Sequence, residues 1–357
     1  AISSSTYAKG DAGSVIVNAG ELNVDGQGSD IYTGSPSYAC YAAEGNAGTV
    51  EVTVASLLEL INGAEISSST FAKGDAGSVT VNAKNLNVNG ESTGIYSSAT
   101  NAATGYVGDV IINAESIALM NGGKISISAD QTLTDDLLAD MSQNSIHINT
   151  WDLFLDQESQ ITAESSYNVP AGDIYIQAYN TIIENSSRIT TASNEADGGA
   201  ITIQGDSLVL SDGLITTSVE DTTGDGGDIT ITGISETLAT PADVLVLDGG
   251  FIQANTGADD AIGGNIYINV EAVIADTDSG LQVGGSQRQV FGDQQSTNVI
   301  QAAAPGEEQG DINITATEID ISSSIANVGT YFITPAQLST NSCTTAFDNN
   351  TASALIQ

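Results

Sequence analysis

The most restrictive feature of this chain is that it repeats itself. Residues 2–26, ISSSTYAKGDAGSVIVNAGELNVDG, recur as residues 66–90, ISSSTFAKGDAGSVTVNAKNLNVNG, with 20 of 25 positions identical. The offset of 64 residues (66 − 2) holds two shorter units, because the SVIV of 14–17 is echoed by TVEV at 49–52 as well as by SVTV at 78–81. The echo continues as DVII 109–112, SIHI 145–148, DIYI 173–176, AITI 200–203, DITI 228–231, NIYI 265–268 and DINI 311–314, nearly always after a glycine. That makes ten units whose starts lie 27 to 46 residues apart. A period of this size marks a solenoid, in which no unit can bury its apolar face alone and each needs its neighbours.

Most units contain three strand-like segments in the same order, as in Ile201-Thr202-Ile203, Leu208-Val209-Leu210 and Leu214-Ile215-Thr216-Thr217. Each alternates with a period near two, the spacing of side chains on a strand. The fold expected is all-β, a right-handed parallel β-helix of about ten three-strand rungs over residues 1–327, followed by an irregular carboxy-terminal arm or cap over 328–357. Stacked rungs should set like residues above one another at ~4.8 Å. One such column reads Val15, Val50, Val79, Val110, Ile146, Ile174, Ile201, Ile229, Ile266, Ile312 and is expected to face inward. Three residues on, Asn18, Thr53, Asn82, Asn113, Asn149, Gln177, Gln204, Thr232, Asn269 and Thr315 form a polar column. It is expected at a corner, with amides and hydroxyls bonding from rung to rung.

Charge narrows the function. Six Lys+Arg against 45 Asp+Glu give a net charge of −39, which repels nucleic-acid phosphates and anionic headgroups. No nucleic-acid partner is expected. Membrane insertion is not expected either, since no run approaches the ~20 apolar residues of a membrane helix. The 38 glycines against five prolines, with hydrophobic residues at 40% and aromatics at 5%, suit tight turns and a core of small aliphatic side chains. No signal peptide opens the sequence, and Ala1-Ile2-Ser3-Ser4 aligns with Glu65-Ile66-Ser67-Ser68 in the third segment of a rung. The expectation is that a targeting segment has been removed and that the first rung lacks two of its strands.

The phrases GDAGSVTVNAKNLNV (74–88), NGAEISSSTFAKGDAG (62–77) and DGGDITITG (225–233) resemble the filamentous haemagglutinin group of two-partner-secreted exoproteins. The resemblance runs over roughly residues 1–325. It implies a right-handed parallel β-helix, bacterial-type export to the cell surface or the exterior, and a role as adhesin, biofilm matrix protein or stalk. It carries over no catalytic residue. The amino-terminal secretion domain of the group is not recognisable here, nor is a toxin-like carboxy-terminal module.

Loops inserted into a rigid scaffold are the usual place for function. Residues 31–47 hold Tyr32, Tyr38 and Tyr41, candidate glycan contacts, together with Cys40. Residues 130–143 read as a short helix with Thr134 as N-cap and Asp135 and Asp136 in its first turn. Residues 276–298 form the longest insertion. Asp109, Asp173, Asp228 and Asp311 follow the glycine that opens a rung, with Asn144 and Asn265 filling gaps. They are candidate ligands for calcium, a hard cation served by oxygen, and no other cofactor is expected. Cys40 and Cys343 stand about nine rungs or ~43 Å apart, too far for a bond within one compact subunit. They are candidates for a disulfide between subunits stacked end to end; two free thiols, or a tail folded back along the rungs, are the alternatives.

Parallel β-helices also carry polysaccharide lyases and hydrolases, which need carboxylates together with a base. Bases are scarce in this chain. His147 occupies an outward ladder position, and acid pairs such as Asp225 with Asp228 and Asp259 with Asp260 are expected by chance among 45 acids. No enzyme is expected. The leading expectation is a secreted subunit that partners itself, head to tail, in a surface or biofilm filament. A monomeric stalk fragment of an adhesin, binding glycans or cell surfaces, is the first alternative, and a polysaccharide lyase or hydrolase the second.

Overall fold

The structure, a computed structural model, describes residues 1–321 apart from 7–8, 36–43, 72, 101–102, 140, 142, 220–222, 236–239, 258–260, 276–279, 293–296, 305 and 307. It is a parallel β-helix, 56% strand and 2% helix. Two parallel sheets make its walls, a long one of 14 strands, three of them off its main path, and a short one of 11. The register pairs Val15 with Val50, Val50 with Val79 and Val79 with Val110, and so on without a slip to Ile266 with Ile312. Every member of this column is buried, as expected. The short sheet carries a second column, Ile31, Ile66, Ile95, Ile125, Ile161, Ile189, Ile215, Ile252, Ile300, all within 2% of complete burial. Facing columns of branched aliphatics fill the space between the walls, each fully buried side chain contributing about 1.5–3 kcal/mol.

The three segments of a rung lie in two sheets rather than three. The first two both belong to the long sheet, and in several rungs they run together as one strand, among them Val50–Ile61, Val79–Asn89, Ser145–Leu155 and Asp173–Glu184. A bend between them shows as a register irregularity between Val54 and Leu57 and as paired exposed positions, such as Trp151 with Asp152 and Tyr179 with Asn180. The polar column therefore runs up the outer face of the long sheet just before this bend. The tight turn into the short sheet is made by Asn62, Asn121, Asn185 and Asp212, all left-handed with φ of 51–58°, a conformation a short polar side chain tolerates.

Residues Asp135–Ala139 form the expected helix, with the Leu138 amide donating to the Thr134 carbonyl at 2.9 Å. Beneath it Leu133, Val169 and Ala129 make a satellite core, and the Tyr106 hydroxyl donates to the Leu137 carbonyl at 2.8 Å. The 276–298 insertion alters the order of strands. Asn298–Gln301 takes the place beside Phe251–Gln253, and Leu281–Val283, earlier in the chain, lies outside it at the edge of the short sheet. The insertion is tied down by amides, Gln253 Nε2 donating to the Gln289 carbonyl at 2.8 Å and Gln301 Nε2 to the Gln287 carbonyl at 2.8 Å. The expected arm at 328–357 lies outside the described residues.

Candidate functional site

Strands Ser145–Leu155 and Asp173–Glu184 lie side by side in the long sheet, and their outward side chains build the most distinctive surface among the described residues. Register sets His147 beside Tyr175 and Asn149 beside Gln177. The rings of His147 and Tyr175 stack with centroids 4.9 Å apart and planes 15° apart. At the bend, Trp151 stacks on Tyr179 at 4.8 Å and 24°. Trp151 is 60% exposed and is the single tryptophan of the chain. The Tyr175 hydroxyl donates to Asp173 Oδ2 at 3.1 Å; partial burial first, then the adjacent carboxylate, raise its pKa. A shallow groove with Ile111 and Asn113 on one side and Thr202 and Gln204 on the other includes the His147 pair and both central amides. His147 is outward, as the sequence predicts. Trp151 and Tyr179 are not legible as a site from composition. The signal that finds them is H-I-N-T-W (147–151) set over Y-I-Q-A-Y (175–179).

A second concavity lies on the short sheet, where Asp30, Tyr32, Glu65, Ser67, Ser69 and Phe71 surround a cleft. Tyr32 is the one predicted glycan contact within it; Tyr38 and Tyr41 lie outside the described residues, as does Cys40. Burial and, less, the Asp30 charge raise the Glu65 carboxyl. Burial and the Glu65 charge likewise raise the Tyr96 phenol of the next rung.

Three of the four acids predicted as calcium ligands, Asp109, Asp173 and Asp228, accept backbone amides in the structure. Asp109 Oδ1 accepts from the Ser145 amide at 2.8 Å, Asp173 Oδ1 from Ala200 at 2.8 Å, and Asp228 Oδ1 from Asn265 at 2.7 Å. Asn265 Oδ1 then accepts from the Asp311 amide at 3.0 Å. Each therefore fixes the opening of the next rung. The register places Ser145, not Asn144, opposite Asp173. Asn144 was expected to fill a gap in the acid column but stands in the glycine column, one residue earlier, with its Nδ2 buried and unpartnered among the described residues. A second acid column, absent from the sequence reading, does the same work one turn earlier. Asp11 Oδ1 accepts from the Asn46 amide at 2.8 Å, Asn46 Oδ1 from Asp75 at 2.8 Å, and Asp75 Oδ1 from Tyr106 at 2.7 Å. Its signal was the repeated G-D-A-G phrase. Asp225 belongs to this second column, its Oδ1 taking the Ile262 amide at 2.9 Å, so Asp225 and Asp228 both hold the following rung. Asp259 and Asp260 lie outside the described residues. Among the described residues no group of three or more His, Cys, Asp or Glu is arranged to hold a metal ion.

In the polar column the register holds from Asn18 through Thr53, Asn82, Asn113, Asn149 and Gln177 to Gln204. Asn113 Nδ2 donates to Asn82 Oδ1 at 3.0 Å, whereas Gln204 Nε2 turns to the Ser235 carbonyl at 3.1 Å; Asn269 is buried and pairs with Thr315. Side-chain bonds between rungs are denser at the left-handed turn, where Asn62 Nδ2 reaches Asp25 at 2.7 Å, Asn121 reaches Asn89 at 2.8 Å and Asn185 reaches Asp156 at 2.7 Å. Lys9 and Lys73 flank Glu44 at 2.8 and 3.9 Å, and Lys9, by hydrogen bond and charge, holds the Glu44 carboxyl below its usual range. Cys343 lies outside the described residues. No family model, no curated protein and no solved structure matches the chain.

Proposed function

We propose that this chain is a structural protein of the cell exterior, a rod-like unit of a surface or biofilm filament that lengthens by stacking one unit's ladder on the next. The observation that carries this reading is the unbroken register from Val15 to Ile312. Ten rungs at ~4.8 Å make a rod about 48 Å long, stiff because each rung is bonded along its length to its neighbours. A parallel ladder ends in a row of N–H and C=O groups that the end strand of another copy satisfies with the same geometry. A head-to-tail contact of this kind does not close, so it propagates. The charge of −39 keeps rods apart side by side while short-range stacking joins them end to end. The likeness of the repeat phrases to the filamentous haemagglutinin group supports the exterior location.

Electron microscopy of the purified chain over a range of concentrations tests the reading, with and without calcium and with and without reductant. Filaments one rod wide, lengthening with concentration, are the expected result. Shortening by reductant identifies a Cys40–Cys343 link, and shortening on removal of calcium a counter-ion role for the acid columns. Isolated short rods under every condition would overturn the assembly.

A further inference from the structure

Three features set the His147–Tyr179 surface apart from the rest of the outer face of the long sheet. Trp151 is 60% exposed and Tyr175 and Tyr179 are each 38% exposed, although large aromatics stabilise a fold most when buried. The two aromatic pairs are nearly parallel to one another within each pair, and they stand four residues apart along the strands, about 13 Å. Between them, Asn149 and Gln177 sit in register on the exposed face, and neither side-chain amide is hydrogen-bonded among the described residues. In other rungs comparable amides are engaged, as in Asn113 with Asn82.

We infer that the outer face of the long sheet at His147, Asn149, Trp151, Tyr175, Gln177 and Tyr179 is a binding platform for a neutral polysaccharide. The ligand chemistry follows from the surface. Each ring turns one face to its partner in the stack, and the outer face, which carries negative π density, is left to receive the C–H face of a pyranose ring. The amides between them each offer donors and an acceptor to ring hydroxyls. Stacking at two points along one line suits an extended chain of sugars, with a few polar groups placed to fix its orientation. Charge decides which sugars. Asp173 lies beside Tyr175, Asp152 adjoins Trp151 and accepts from Asn180 at 2.8 Å, and the molecule carries −39, so uronate and sulfated chains are repelled. A filament that bears this platform on every unit gains strength by repetition, since each bound unit raises the effective concentration of the next.

The single tryptophan makes the test site-specific. Trp151 fluorescence of the full chain is followed during titration with neutral hexasaccharides of the β-glucan, mannan, galactan and xylan types, and with hexagalacturonate as the anionic probe. A saturable change with at least one neutral probe and none with hexagalacturonate is expected. Tyr179→Ala and Asn149→Ala should each weaken binding, the tyrosine variant by about tenfold. Tyr267→Ala, on the same face three rungs further on, should leave it unchanged. Thermal melting confirms that the variants fold. Absence of any response to the four neutral probes overturns the proposal. So does a response to hexagalacturonate alone, or binding that survives both platform substitutions at full strength.

Discussion

Glycine opens a rung because the carbonyl one rung below occupies the place of a side chain. A Cβ on Gly227 would lie 2.1 Å from the Gly199 oxygen, and one on Gly199 2.0 Å from the Gly172 oxygen. Gly227→Ala should therefore lower stability by about 1–3 kcal/mol, the cost of overpacking. Gly20→Ala, where nothing lies within 4 Å, should change it by less than about 0.5 kcal/mol; denaturant midpoints compare the two. Buried hydroxyls of the third segment complete the same joint, Ser68 Oγ donating to the Gly48 carbonyl at 2.9 Å and accepting from the Gly77 amide at 2.8 Å. Glu65 gives a pH signature. Burial and Asp30 raise its pKa in the folded chain, so its contribution to stability is full below the ordinary glutamate value and is lost as pH rises through the raised one. Glu65→Gln should thus be more stable than the parent near neutrality and lose that advantage at acid pH. An advantage independent of pH, in paired urea titrations, would assign the effect to packing.

At the scale of a strand, alternation decides which substitutions matter. Ile201 is wholly buried between the walls, and Thr202 beside it faces outward. Ile201→Asp places an unpaired carboxylate in the core, a cost above about 5 kcal/mol that rivals the stability of a whole domain. Failure to fold is expected, while Thr202→Asp should melt within a few degrees of the parent. Equal damage in thermal melting would invert the assignment of faces. This alternation is legible in the sequence because Ile201-Thr202-Ile203 repeats the pattern of every other rung. The grouping of segments into sheets is not. A bend such as that after Val54 costs a strand little hydrogen bonding, so the same apolar-polar pattern serves one bent strand or two separate ones.

For the whole molecule, self-repulsion is the main electrostatic term. The ion pairs among the described residues, Lys9 and Lys73 with Glu44, Lys84 with Glu115 and Lys124 with Glu164, involve exposed or partly exposed groups and are worth little. Raising monovalent salt from about 0.01 to about 1 M shortens the screening length from ~30 to ~3 Å. The thermal midpoint should rise across that range. A fall would mean that attraction between charges outweighs the repulsion of −39.

The sequence by itself determined the solenoid, its ten rungs and the inward column from Val15 to Ile312. Each rung presents the same side chain to the same surroundings, and a repeated environment selects a repeated residue. It also marked a short helix within residues 130–143, where a capping threonine and two acids begin a turn, and the structure forms it over Asp135–Ala139. Tertiary structure alone decided the rest. Backbone hydrogen bonds of a parallel ladder do not read side chains, so where spacing varies, packing chooses the register. That choice put Ser145 rather than Asn144 in the acid column and set Asn298–Gln301 inside Leu281–Val283 in the short sheet. The same register brought His147 and Trp151, 28 residues before their partners Tyr175 and Tyr179, to within stacking distance. In the sequence alone these four residues are ordinary strand formers.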